Sequence, residues 1–206
     1  GPVTVGNWSP DNYDSEYEGQ ITLSYALAYS SNSAAVQLTN IVGPERVART
    51  AHRLGVTTDL LAVPSLALGT SEVTPYEMVT AYAAFANGGT GVIPYVIRRI
   101  SNESGEILYE RRGSGMGRVM SAETNSEMTQ MMMRSVSEGT GRAAALTDRP
   151  LGGKTGTSQD YRDAWFVGFT ADFVCGVWIG NDNNAEMNRV TGGGLPARVF
   201  KSFMEM

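Results

Sequence analysis

Lysine is scarce in this chain. Of its 206 residues only Lys154 and Lys201 carry an ε-ammonium, and Lys154 opens the run Lys154-Thr155-Gly156-Thr157, directly after Gly152-Gly153. A cation, two hydroxyls and a side-chain-free position in four residues suit an anionic ligand that must come close to the backbone. On a strand, Lys154 and Gly156 share one face and Thr155 and Thr157 the other. If that strand lies at a sheet edge, its N–H groups can also pair with an extended peptide laid along it. The competing reading of four residues by themselves is a surface turn with a solvated lysine.

A second polar cluster, Ser30-Ser31-Asn32, falls between two short helical patterns. Ser30 and Asn32, two apart on a turn, can face one cleft, the hydroxyl passing a proton and the amide both donating and accepting. Serine and asparagine are also favoured helix caps, so capping is the alternative.

The elements that must position these residues follow from periodicity and breakers. Helices are predicted over 22–29, 33–41 and 44–54, the last with Pro44 at its first position, a stripe of Val47, Ala48, Ala51 and Leu54, and Gly55 as its stop. Thr74-Pro75-Tyr76-Glu77 reads as a capping box opening a helix to Ala86, ended by Asn87-Gly88-Gly89. Residues 94–101 and 106–110 read as a hairpin. A helix over 121–138 carries Met128, Met131, Met132 and Val136 on one face, a core pattern. Segments 151–157, 164–170 and 173–180, joined by short links, read as an antiparallel meander covered on both faces, and a helix closes the chain from Leu195. Residues 1–20 read as an extended lead-in. Helices first and strands later exclude a parallel doubly wound sheet; the fold class is α+β, an antiparallel sheet flanked by helices.

Bulk properties narrow the function. The net charge of −5 argues against a nucleic-acid partner. No apolar run reaches the length of a membrane span, and no signal peptide is visible. The single cysteine, Cys175, excludes an internal disulfide and reads as a small buried hydrophobe. The single histidine, His52, cannot anchor the usual kind of metal site, so neither metal nor other cofactor is expected.

Taken together, Ser30-Ser31-Asn32 and Lys154-Thr155-Gly156 resemble the second and third members of the motif set S-x-x-K, S-D-N and K-T-G of penicillin-binding proteins and class A β-lactamases, with Ser31 in place of the aspartate and the order preserved. The resemblance to class A, bifunctional penicillin-binding proteins extends along the chain, through Pro64–Pro75, Ala81–Gly89, Arg162–Phe169, Val177–Asp182 and Val190–Ala197. It implies a peptidoglycan DD-transpeptidase of the β-lactamase/DD-transpeptidase-like fold. Such an enzyme cross-links stem peptides ending in D-Ala-D-Ala and is acylated by β-lactams. By the same resemblance Ser30 would relay a proton to the leaving amine. Asn32 would bond the substrate amide and the lysine of the first motif. Lys154 would bridge to Ser30 and lend positive charge. Thr155 and Thr157, with Gly156 between them, would bind the substrate carboxylate, and the Thr157 N–H would donate to an oxyanion; losing such a donor costs about 2.7–4 kcal/mol of barrier.

The first motif is absent. Three residues before Lys154 stands Leu151, and three before Lys201 stands Arg198. In the family that serine is the nucleophile and lies upstream of Ser-x-Asn. Residues 1–206 are therefore expected to form the C-terminal portion of one transpeptidase domain, inactive alone and completed by an N-terminal half that is a partner in its own right. A membrane anchor is expected only through an upstream segment, with the active protein outside the cytoplasm. Two other functions compete: a DD-carboxypeptidase or β-lactamase of the same fold, and a non-catalytic penicillin-binding sensor.

Overall fold

The computed structural model describes residues 1–206 except positions 14 and 114, so the lead-in expected over 1–20 lies outside the described residues at that one point. Among the described residues, six α-helices and seven strands follow each other as helices, small strand pairs, a long helix, a three-stranded sheet and a last helix.

Helix α1, Leu23–Ala28, is capped by the Thr22 side chain accepting from the Tyr25 N–H. It ends in a Schellman-type closure, in which the Ser30 N–H donates to the Leu27 carbonyl and the Ser31 N–H to that of Ala26. Helix α2, Asn32–Val42, starts on Ser31 as N-cap, so Asn32 is its first helical residue and not part of the turn. The capping reading is realised at Ser31, whose side chain accepts from the Ala34 N–H, with Ser30 and Asn32 on either side of it. Helix α3, Pro44–Arg53, begins on the proline, and Gly55 beyond it has φ +111°. A 3-10 turn over Pro64–Leu68, not foreseen, precedes helix α4, Pro75–Ala86, whose Thr74–Glu77 capping box is present in full.

Two strand pairs follow. Strands β1, Thr90–Gly91, and β4, Gly117–Arg118, form a ribbon that nothing in the residue pattern announced, around the hairpin of β2, Arg99–Ser101, and β3, Ile107–Glu110. The hairpin is shorter than expected because 94–98 stays irregular: Pro94 offers no N–H, and Val96 points fully into solvent. Helix α5, Ala122–Ser137, buries Met132 and Val136, while Met128 and Met131 are half-buried.

The sheet is the expected meander: β5, Gly152–Thr157, β6, Asp163–Phe169, and β7, Val174–Gly180, antiparallel in that order, with Lys154 opposite Val167 and Thr155 opposite Phe166. Helix α6, Leu195–Met204, closes the chain. One face packs Phe166 against Phe200 of α6, ring centroids 4.8 Å apart, in a core with Val136, Ala144, Leu151, Ala197 and Met204. The other face meets α4, where Phe85 stacks on Phe169. Full cover holds at the central strand, where Phe166 and Val167 are buried, but not at the edge: every residue of β7 is half-buried or exposed, which corrects the expectation that segment 173–180 is covered on both faces. The opposite edge, β5, carries no further strand among the described residues.

Candidate functional site

The free edge of β5 and the α1–α2 corner bound one cavity of about 1000 Å³, lined among others by Ser30, Asn32, Thr140, Thr155, Thr157 and Thr191. Two polar clusters 124 residues apart in sequence meet there. The Lys154 Nζ donates to Ser30 Oγ at 2.7 Å and to the Thr155 carbonyl at 3.0 Å.

Ser30 reaches this position through an unusual backbone. It occupies the residue after the α1 C-cap with φ +58°, where glycine is the ordinary choice and a side chain costs about 1–2 kcal/mol. The corner is held from outside by the lead-in. The Asn12 Oδ1 accepts from the Ser33 N–H at 3.1 Å and from Ser31 Oγ at 3.4 Å, and Asn32 Nδ2 donates to the Asp11 carbonyl at 2.8 Å. The Asn32 carboxamide is thus oriented by the backbone of Asp11.

Lys154 is half-buried among protein atoms, and desolvation lowers its pKa to about 8. Its ammonium donates to the hydroxyl oxygen of Ser30, which leaves the Ser30 proton free to point into the cavity. That is the geometry of a relay between a cation and a basic leaving group.

The threonines form the opposite wall. Thr155 Oγ1 lies 2.7 Å from Thr140 Oγ1. Thr157 Oγ1 accepts from the Gly192 N–H at 3.0 Å, so its own hydrogen is free for a ligand. Gly192 crosses the strand so closely that a Cβ there would overlap the carbonyl oxygens of Trp165 and Gly156. Gly156 itself lies opposite Trp165 in the ladder. Ser30, Asn32, Thr155 and Thr157 thus line this cavity, and Lys154 and Gly156 lie on the strand that walls it. Thr140, Gly192, Asp11 and Asn12 were missed. The run 190–197 was legible only as part of a resemblance, and a threonine between two glycines carries no signal of its own. Among the described residues no group of three or more His, Cys, Asp or Glu could hold a metal.

Fold and site together define a class: α+β proteins in which a Ser-x-Asn corner faces the edge strand bearing Lys-Thr-Gly. Comparison with known proteins makes the membership specific. The family model for the penicillin-binding protein transpeptidase domain matches residues 1–205, and the chain belongs to that family, on the side of the class A penicillin-binding proteins. Penicillin-binding protein 1A of Aquifex aeolicus is 43% identical over 100% of the chain, which spans 28% of that relative's length. Penicillin-binding protein 1A of Haemophilus influenzae is 26% identical in its crystal structure with a TM-score of 0.90, covering 100% of this chain and 38% of that one. The PonA1 protein of Mycobacterium tuberculosis in complex with penicillin V has the same fold, with a TM-score of 0.90 at 24% identity over 99% of this chain and 61% of that one. No helix among the described residues is long and apolar enough to cross a membrane.

Proposed function

We propose that this chain is the C-terminal portion of a peptidoglycan DD-transpeptidase domain, the part that holds the donor stem peptide and relays the proton, while an upstream S-x-x-K segment attacks. The observation that carries this reading is the Lys154–Ser30 hydrogen bond beside the Thr155 and Thr157 hydroxyls on a free sheet edge.

A stem peptide ending in D-Ala-D-Ala would add itself along β5. Its terminal carboxylate meets the Thr155 and Thr157 hydroxyls and the Lys154 charge, and its scissile carbonyl oxygen meets the Thr157 N–H. Once the upstream serine has added to that carbonyl, the C–N bond breaks as Ser30 gives its proton to the departing D-Ala amine and is recharged from Lys154. The amine of a second stem peptide then takes the acyl group. β-Lactams enter by the same contacts, since their carboxylate and strained amide present the same groups, and penicillin-binding relatives support that extension.

Exposed apolar side chains at Leu23, Leu38, Ile41 and Leu61 on α1, α2 and the connection after α3 support the need for an N-terminal half of the domain. With that half come the expected anchor and a place of action outside the cytoplasm, where peptidoglycan is made.

The test is labelling with a fluorescent penicillin. Protein made from the complete reading frame should label on the S-x-x-K serine, and residues 1–206 alone should not. Labelling of the isolated chain at Ser30 would overturn the division of labour. A complete protein with no S-x-x-K segment and no label would make it a binder and not an enzyme. Adding an acceptor amine separates transfer from hydrolysis: a transpeptidase partitions its acyl-enzyme to the amine, a carboxypeptidase or β-lactamase to water.

A further inference from the structure

Thr140 stands outside the Ser-x-Asn and Lys-Thr-Gly motifs, yet it bonds both to α1, just before the Ser30 corner, and to β5. It sits in the Gly139-Thr140-Gly141 turn after α5. Its N–H donates to the Ala28 carbonyl at 3.0 Å, at the end of α1 and two residues before Ser30. Its hydroxyl lies 2.7 Å from that of Thr155 on β5, one residue after Lys154. Its carbonyl is covered by the chain crossing at Gly193, where a Cβ would stand 2.5 Å from the Thr140 oxygen.

The flanking glycine shows how close the fit is. A Cβ on Gly139 would overlap the Ala28 carbonyl oxygen, and Gly139 has no positive φ to explain its identity, so close approach explains it. Farther up α5 a second tie runs the same way, from Arg134 Nη1 to Ser24 Oγ at 3.3 Å. Helix α5 and the turn after it thus tie α1 twice, through Arg134 and through Thr140, and of these two residues Thr140 also bonds to a β5 side chain.

We infer that Thr140 is a positioning residue of the acyl-transfer site: its backbone fixes the height of the Ser30 corner against β5, and its hydroxyl partners that of Thr155 so that Thr155 is presented to a ligand carboxylate. The inference rests on the transpeptidase reading for what the site does, but the link itself is a property of the fold. The two halves of the device separate by substitution. Thr140→Val keeps the shape and the Ala28 bond and removes only the hydroxyl. Gly139→Ala keeps the hydroxyl and pushes the turn off α1. Thr140→Ser restores the hydroxyl.

The experiment uses protein from the complete reading frame and follows acylation by a penicillin and by its methyl ester, which lacks the carboxylate. Thr140→Val should weaken initial binding of the free acid about three- to tenfold, the range one hydrogen bond commands, with the acylation rate constant and ester binding unchanged. Thr140→Ser should recover wild-type binding. Gly139→Ala should lower the acylation rate constant about a hundredfold, as a displacement near 1 Å can do, for both compounds. If Gly139→Ala does not fold, the valine and serine pair still decides the hydroxyl's role. Equal losses for acid and ester in Thr140→Val, or no loss in either, would overturn the inference. Amide hydrogen exchange reads the link without turnover: Gly139→Ala should speed exchange at Thr140 and leave α6 unchanged, and unchanged exchange at Thr140 would also overturn it. A wild-type protein that never acylates, with the exchange result as expected, would instead condemn the transpeptidase reading and leave the link standing.

Discussion

Lys154 and Ser30 are joined by a 2.7 Å hydrogen bond across 124 residues of sequence, and the lysine is the donor. The direction matters because burial holds the Lys154 pKa near 8, well below the usual ~10.4 for lysine. Folding disfavours the charged form, so Lys154 weighs against stability below pH 8, and that penalty fades as pH rises through its folded pKa. For function the sign is opposite: near neutral pH roughly nine lysines in ten are charged, and the charge that attracts a carboxylate is lost above pH 8.

The apparent affinity for an anionic β-lactam should therefore fall along a single ionisation limb near pH 8. Lys154→Arg, which stays charged throughout, should remove that limb even if it binds less well. Binding measured from pH 6 to 10 checks this, and a wild-type limb above pH 10 would contradict it.

Ser30 pays for its place with a left-handed backbone. With φ at +58° in a Schellman closure it occupies a glycine position, and non-glycine residues held there cluster where geometry serves function. Ser30→Gly should raise the stability of the protein by about 1 kcal/mol while reducing acyl transfer by about 100-fold or more, the scale of a lost proton-transfer group. Thermal melting and acylation kinetics on the same preparation check both halves. A variant that loses both stability and activity would show that Ser30 is structural.

How much of this was legible in the sequence depended on what carries each feature. Local rules held where the cause is local: the Thr74–Glu77 capping box, Pro44 at a helix start and the three-strand meander are encoded within a few residues each. The pairing of Ser30 with Lys154 was legible only through family resemblance, because no spacing rule connects residues that meet by tertiary packing. Thr140, Asp11 and Asn12 escaped for the same reason. Asp11 acts through its backbone carbonyl, Asn12 through its carboxamide oxygen, and Thr140 through its N–H and hydroxyl, groups that aspartate, asparagine and threonine offer at many surface turns without consequence. The β1–β4 ribbon was missed because two residues per strand give no periodicity to detect.

Gly192 holds the Thr157 hydroxyl by a backbone hydrogen bond. Its N–H occupies the acceptor side of the Thr157 hydroxyl, and it passes too close to Gly156 and Trp165 for any side chain. Gly192→Ala should push β5 and the 190–194 segment apart and weaken carboxylate binding about tenfold or more, equivalent to at least about 1.4 kcal/mol. The conservative control is Thr157→Ser, which keeps the hydroxyl and should bind within about threefold of wild type. Near-wild-type binding by Gly192→Ala would mean that the strap is free to move.

Glu77 is the most heavily bonded carboxylate among the described residues, and it lies away from the cavity. It is 5% exposed. Its Oε1 accepts from the N–H and hydroxyl of both Thr57 and Thr58, and its Oε2 from the N–H and hydroxyl of Thr74. The Thr74 N–H, then Thr57 and Thr58, hold its pKa far below the usual carboxylate range. A depressed carboxylate stabilises the fold fully at pH values above its unfolded pKa, and the benefit is lost progressively as pH falls from there through the much lower folded value. Glu77→Gln replaces one acceptor oxygen by a donor facing N–H groups and hydroxyls already committed to donating. The cost should be about 2–4 kcal/mol at pH 7, from the stranded donors and the lost charge-assisted bonds. The wild-type advantage over Glu77→Gln should shrink as the pH falls below about 4, where the unfolded glutamate takes up its proton. Melting curves of both proteins between pH 3 and 7 test this, and a difference that stays constant across that range would remove the carboxylate's charge from the explanation.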